Sequence, residues 1–228
     1  MVHFGELIME VELRVEGRNL VFAAKEKEQV ISTLSVSPDI GGDRSTIYQI
    51  KNAFTKGLYR RRGYMDAILK EVFNCMQSEQ EAFVFLGTRE PQVFAKYGFV
   101  DIVKPQDPFP ETLGRIVDVK SFLKYFESDK EFVMSLQVKD EMLPENDGIY
   151  MVHCGPEGGR LNSMKISVPV SCEAGCGKIA AEASVDVKDL IQFGFGLKEA
   201  KEAFKVTVKM REEEIWAALD NLKFKQSV

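Results

Sequence analysis

Residues 46–87 constrain the fold most. "TIYQIKNAFT" has the character of a strand, and "GLYRRRGYM" follows it, with three arginines directly before a glycine. In "YMDAILKEVFNCMQSEQ" the apolar residues Met65, Ile68, Leu69, Val72, Phe73 and Met76 fall at helical spacing on one face. Asp66 and Lys70 stand four apart on the opposite side, in the order that supports a helix. "AFVFLG" is a short continuous apolar run, the pattern of a buried strand. The segment therefore reads strand, basic turn, amphipathic helix, strand.

A helix N-terminus carries unpaired N–H groups and partial positive charge, so it is ready to receive an anion. Gly63 lets a ligand approach without a Cβ in the way, and arginines add bidentate contacts. The bland alternative is a solvated basic turn ahead of an ordinary helix. The rest of the chain sharpens the contrast, because 30 Lys and Arg against 35 Asp and Glu leave a formal charge of −5. There is no global basic footprint for nucleic acid.

Upstream, "MEVELRVEGRNLVFAA" alternates Val11, Leu13 and Val15 with Glu10, Glu12 and Arg14 around the turn signal "EGRN". "QVISTLSVSP" continues with a further strand, and "PDIGGDRS" is a polar break. Downstream, "EPQVFAKYGF" predicts a short helix ended by Gly98, with Phe99 opening another strand. "VKPQDPFPETLG" carries three prolines and predicts a linker. Beyond it, "VDVKSFLKYFES" is amphipathic, and "FVMSLQVKD", "GIYMVHC", "MKISVPV" and "KIAAEASVD" are strand candidates. "DLIQFGFGLKEAKEAF" and "EEEIWAALDNLKF" are helical, the latter with Glu212, Glu213 and Glu214 in its first turn, where they favour the dipole. The expected organisation is a first unit over 1–104, a linker over 105–113 and a separate α+β unit over 114–228.

The opening residues are acidic and lack the basic start of a signal peptide, and no apolar run nears the roughly 20 residues of a membrane span, so a cytoplasmic protein is expected. The cysteines are too sparse for a disulfide framework. His153, Cys154, Cys172 and Cys176 have the residue types of a zinc site, but their spacing fits no standard ligand pair. No metal is expected.

Arg60-x-x-Gly63-x-Met65 resembles the acetyl-CoA pyrophosphate loop of GNAT-type N-acetyltransferases, with Met65 departing from the commonest last residue. "YRRRGYM" and "VFAKYGF", with "RIVDVKSFL", "GIYMV", "DVKDLIQFGFG" and "LDNLKF" in the second part, resemble the enhanced intracellular survival (Eis) family. The resemblance implies an α/β fold: a GNAT-like mixed sheet with flanking helices, then a sterol-carrier-protein-like α+β domain. It also implies that Ala53, Phe54 and Thr55 end the strand beside the pantetheine arm of coenzyme A. Arg60 opens the pyrophosphate loop, and Arg61, Arg62, Gly63, Tyr64, Met65 and Asp66 hold the pyrophosphate on their amides. Arg89 and Glu90 flank the cofactor's exit, and the thioester sits where two parallel strands splay.

This chain departs from the family in three ways. Where the family has a tyrosine that gives its proton to the leaving thiolate, this chain has Phe94. Tyr97 is the nearest phenol, one helical turn on, at a place where the family has an aromatic packing residue; it is read as either acid or core. The family's C-terminal carboxylate receives the amine's proton, and here the candidate is that of Val228. The family's chains are also longer, with a middle acetyltransferase-like lobe and leading elements that wall the acceptor pocket. A shortened sheet with an exposed edge favours a homodimer.

The resulting expectation is an acetyl-CoA-dependent N-acetyltransferase for a small primary amine (a polyamine, an aminoglycoside or a lysine-like group), with no nucleic-acid or membrane partner. The alternatives are a CoA-binding module without turnover, and a hydrophobic-ligand carrier in which "LIQFGFGL" and "IWAAL" line a tunnel.

Overall fold

The computed structural model describes residues 9–40, 46–104, 110–166 and 181–225. β1 (Glu10–Glu16) and β2 (Asn19–Glu26) form a hairpin, and β3 (Gln29–Ile40) and β4 (Thr46–Thr55) extend it antiparallel. A 3₁₀ turn at Gly57–Tyr59 precedes α1 (Tyr64–Ser78), which leads to β5 (Phe83–Thr88). β5 runs parallel to β4, a pairing that the crossover through α1 makes possible. Then come α2 (Pro91–Ala95), β6 (Val100–Asp101) and β7 (Glu111–Ile116). The sheet order is β1-β2-β3-β4-β5-β7-β6.

β7 corrects the expected linker. Glu111–Leu113 pair with Thr88–Leu86 of β5, and Gly114–Ile116, assigned on sequence to the second unit, complete the same strand. The prolines suggested loop, but the free edge of β5 supplies hydrogen-bond partners that local pattern cannot show. Residues 105–109 lie outside the described residues.

The second unit holds α3 (Val119–Leu123), β8 (Phe126–Ser128), β9 (Phe132–Lys139), β10 (Gly148–Cys154), β11 (Gly159–Arg160), β12 (Asn162–Lys165) and β13 (Ala183–Asp186). α4 (Val187–Gly194), α5 (Ala200–Ala203), β14 (Phe204–Val206), α6 (Glu212–Leu219) and β15 (Lys223–Phe224) follow. Its strands form sheets ordered β12-β10-β9-β13-β14 and β11-β8-β15. The amphipathic stretch "VDVKSFLKYFES" splits into one short helix, N-capped by Asp118, and strand β8. The later part of "MKISVPV" and the start of "KIAAEASVD" lie outside the described residues. Among the described residues no helix is long and apolar enough to cross a membrane.

β5 alternates between two cores. Val84 and Leu86 face α1, packing with Ile68, Leu69, Val72 and Phe73. Phe83 and Phe85 face the second unit, in a cluster with Phe122, Phe126, Leu190 and Ile191. A Cβ at Gly114 would come within 3.0 Å of Ile191 Cδ1, so α4 lies directly on β7. The helical face expected on sequence is buried except at Met65, whose place in the core Tyr64 takes.

Candidate active site

The parallel pair β4–β5 holds only at Tyr48↔Val84 and Gln49↔Phe85, after which the strands part. The cause is local. Asn52 adopts φ 53°, and β4 slips register against β3 between Thr33 and Ser35, which marks a bulge. The Asn52 amide donates to Ser35 Oγ at 3.2 Å, and Ser35 Oγ donates to the Lys51 carbonyl at 3.1 Å. Ser32 Oγ donates to the Phe54 carbonyl at 2.9 Å and lies 2.7 Å from Thr55 Oγ1, fixing the strand's end. Beyond Gln49, β4 has no partner strand on its β5 side among the described residues.

The gap opens into a cleft of about 750 Å³. Ala53, Phe54 and Thr55 form one wall, and Gly87, Thr88, Arg89 and Glu90 the other. Arg60, Arg61, Gly63, Tyr64, Met65 and Asp66 close one end, with Phe94, Lys96 and Tyr97 alongside. The structure thus brings together the residues expected at a cofactor site, except Arg62. That guanidinium lies 5.5 Å from the Tyr59 ring centre and is not among the lining residues.

The turn into α1 is left-handed at Arg61 (φ 62°) and at Gly63 (φ 85°). Gly63 is the N-cap and offers no side chain to the helix, so the first-turn amides keep their donors for a ligand. Successive amides in such a turn form an anion-binding concavity. Arg60 Nε donates to the Thr55 carbonyl at 3.3 Å and ties this turn to the end of β4. Tyr64, edge-on to Tyr59, donates to Glu26 at 3.1 Å and anchors the helix start to β2.

Asp66 faces the same turn, and its partners differ from the expected Lys70. Lys96 Nζ reaches Asp66 Oδ1 at 2.9 Å, and the Tyr97 hydroxyl donates to the same oxygen. Lys96 also lies 4.5 Å from the Tyr97 ring centre. Burial and the bond to Asp66 push the Tyr97 phenol above its ordinary value. Burial works against the Asp66 carboxylate, but the bonds from Tyr97 and Lys96 outweigh it and hold its pKa below the usual value. Tyr97 is only 7% exposed, yet it borders the cleft. Phe94, also at the cleft, packs edge-on against Phe99 at 5.9 Å. Val228 lies outside the described residues.

Lys96 is the one charged cleft residue that the sequence reading left without a role; its signal was its place beside Tyr97 in "VFAKYGF". His153 and Cys154 are neighbours on β10, one exposed and one buried, so their side chains point to opposite faces and do not converge on one ion. Cys172 and Cys176 lie outside the described residues.

The model of the acetyltransferase (GNAT) domain matches residues 8–100. No curated protein matches the sequence. A conserved protein of unknown function from Enterococcus faecalis V583, described as a probable N-acyltransferase, is similar in structure, with TM-score 0.71 and 13% identity over 92% of this chain and 88% of that one. Eis1 from Mycobacterium abscessus gives TM-score 0.64 and 11% identity over 91% and 89%. A GCN5-related N-acetyltransferase from Kribbella flavida gives 0.61 and 8% over 88% and 85%. At these identities the likeness is one of fold: a GNAT-like mixed α/β architecture.

Proposed function

We infer that the chain is an N-acetyltransferase that carries acetyl from acetyl-CoA to a small primary amine. The parting of β4 from β5 directly above the uncapped start of α1 carries this reading. The amides from Arg61 onward grip the diphosphate of the coenzyme. The unpaired edge of β4 at Ala53–Thr55 hydrogen-bonds the pantetheine arm as a missing strand would. The thioester then lies in the gap, open to an amine from the far side. The amine nitrogen attacks the carbonyl carbon, the C–S bond of the tetrahedral intermediate breaks, and the product is an amide plus coenzyme A. The departing sulfur takes a proton and the nitrogen gives one up.

Tyr97 is the proton donor of this reading, and Asp66 and Lys96 hold it at the cleft. The Eis-like GNAT relatives and a polyamine, aminoglycoside or lysine-like acceptor belong to the same proposal, as does a sterol-carrier-like second unit. A hydrophobic-ligand role for that unit has less support. Phe193 packs on Phe126, Phe204 lies edge-on to Phe193, and Phe195 contacts Phe83 and Phe224, so these rings fill a core.

Two measurements test the reading. Calorimetry should record binding of acetyl-CoA, weakened at least tenfold by Arg61→Glu through charge reversal at the seat. Thiol release should rise when polyamines or aminoglycosides are added. Tight coenzyme binding with no amine-dependent thiol release would establish the non-catalytic binding module instead.

A further inference from the structure

Strand β1 is the outer strand of the seven-stranded sheet, and among the described residues nothing pairs with its free edge. On the α1 side of the sheet its side chains are Val11, Leu13 and Val15, with Leu13 47% and Val15 70% exposed. A groove of about 340 Å³ runs between this stripe and α1, floored by Phe22 and bounded by Cys75. On the opposite face Glu12 and Arg14 bond to each other at 2.9 Å and 3.0 Å, and Lys25 also reaches Glu12. An edge that is apolar on one face and charged in both signs on the other is suited to a partner strand of the same kind.

We propose that β1 pairs antiparallel with β1 of a second copy of this chain, about a two-fold axis through Leu13. Backbone geometry allows this register among several, and charge selects it. The two-residue turn at Gly17 and Arg18 closes the hairpin on the pair Glu16↔Asn19. Hydrogen-bonding direction alternates along a strand, so Glu10, Glu12, Arg14 and Glu16 bond inward to β2, while Val11, Leu13 and Val15 present their N–H and C=O groups outward. A two-fold at Leu13 sets Leu13 against Leu13 and Val11 against Val15, all as hydrogen-bonded pairs. Glu12 then stands opposite Arg14 twice, in the closer non-hydrogen-bonded positions. Centring on Glu12 would oppose Glu12 to Glu12, and centring on Arg14 would oppose Arg14 to Arg14 and Glu12 to Glu16. Of these three registers only that at Leu13 makes the inner charges complementary, with Glu10 against Glu16 at the open ends. Centring on Val15 would also oppose Arg14 to Glu16, but it would set Leu13 against the turn at Gly17 and pair fewer residues of the strand. The partner's Leu13 and Val15 would extend the apolar stripe along the mouth of the groove. This pairing is independent of the acetyl-transfer reading, and its failure would leave that reading untouched.

Charge swaps test it with light scattering after gel filtration, over a concentration series. Wild type should show about twice the chain mass of 25.8 kDa. Glu12→Arg and Arg14→Glu should each be monomeric, since each opposes like charges in its own dimer. An equimolar mixture of the two should recover the dimer mass, because each supplies the charge the other lacks. Val15→Lys should also give a monomer without altering the Glu12–Arg14 pair. Circular dichroism on each variant checks that the monomers are folded. A strictly monomeric wild type overturns the proposal, as do folded variants that keep the dimer or a mixture that fails to restore it.

Discussion

At the scale of single residues, the chemistry turns on how Asp66 is occupied. A carboxylate in the first turn of a helix favours the dipole by about 0.3–1 kcal/mol, but it also stands beside the seat where a diphosphate would bind. Lys96 and Tyr97 both bond it, which lowers the cost of leaving it there. Tyr97→Phe removes one of those donors and the proposed acid together. If Tyr97 is the acid, kcat should fall about 10²-fold or more with little change in KM for acetyl-CoA. If it serves only to hold Asp66, coenzyme affinity should fall and kcat should stay within a few-fold. Phe94→Tyr adds a phenol at the cleft beside Tyr97 and should raise the turnover rate.

The same pair fixes a pH dependence. Asp66 has a depressed pKa, so its contribution to stability is present above the ordinary 3.8 and is lost as pH falls through its lower folded value. Tyr97 has a raised pKa, so its contribution is present below the ordinary 10.0 and is lost as pH rises through its higher folded value. Denaturant midpoints measured across pH should therefore form a plateau between those limits, and Tyr97→Phe should soften the alkaline fall. An unchanged alkaline limb would show that Tyr97 is not its source.

At the scale of elements, the decisive feature is the bulge in β4. Asn52 has a left-handed backbone, which an Asn tolerates better than most residues, and its amide bonds to Ser35. Asn52→Ala loses both advantages and should cost about 1–2 kcal/mol. Asn52→Gly, which keeps the backbone freedom, should cost less. Acetyl-CoA affinity should follow the same order, since the bulge steers β4 away from β5; equal affinity in both variants would separate the bulge from the cleft. Gly63→Ala meets a sharper limit, with φ 85° and Met9 Cε 3.4 Å from the added Cβ, and should weaken coenzyme binding by distorting the seat.

The ten residues of "TIYQIKNAFT" that read as a strand are β4, and the apolar spacing from Ile68 to Met76 marks α1, because both patterns are local. The bulge was hidden, since an Asn within a strand pattern carries no sign of its φ. The insertion of β7 between β5 and β6 was hidden too, since only distant partners decide it. Asp66 was legible as a helix-surface acid but not as the partner of Lys96 and Tyr97, which are about thirty residues away in sequence. Long-range pairing leaves its trace in the assembled fold and not in local spacing.

At the scale of the whole molecule, the two units share a core and a buried ion pair. Arg115 of β7 is 1% exposed, and its Nη2 donates to Asp140 Oδ1 at 2.6 Å and Oδ2 at 2.7 Å. Asp140 also accepts from the backbone of Met142 and Leu143 and from the Asn146 side chain, whose oxygen in turn accepts from Val119 N. The network therefore joins the first sheet to the loop after β9 and to the start of α3. On its other side the guanidinium lies against Gly98, where a Cβ would come within 3.1 Å of Nε, so it also backs the turn that follows Tyr97. Asp140→Asn strands a buried cation and should cost about 3–5 kcal/mol, whereas replacing both partners by leucine should cost less than either single change. Phe83 and Phe85 pack with Phe122 and Phe126 across the same junction, so the two units should unfold together. Trp216, the sole tryptophan, lies in α6 of the second unit and reports that unit alone, whereas far-UV ellipticity reports both. Their urea transitions should coincide in wild type and move together to lower urea in Asp140→Asn. Two separate midpoints in wild type would mean that the shared core does not couple the units, and that the second could be removed without collapsing the cleft.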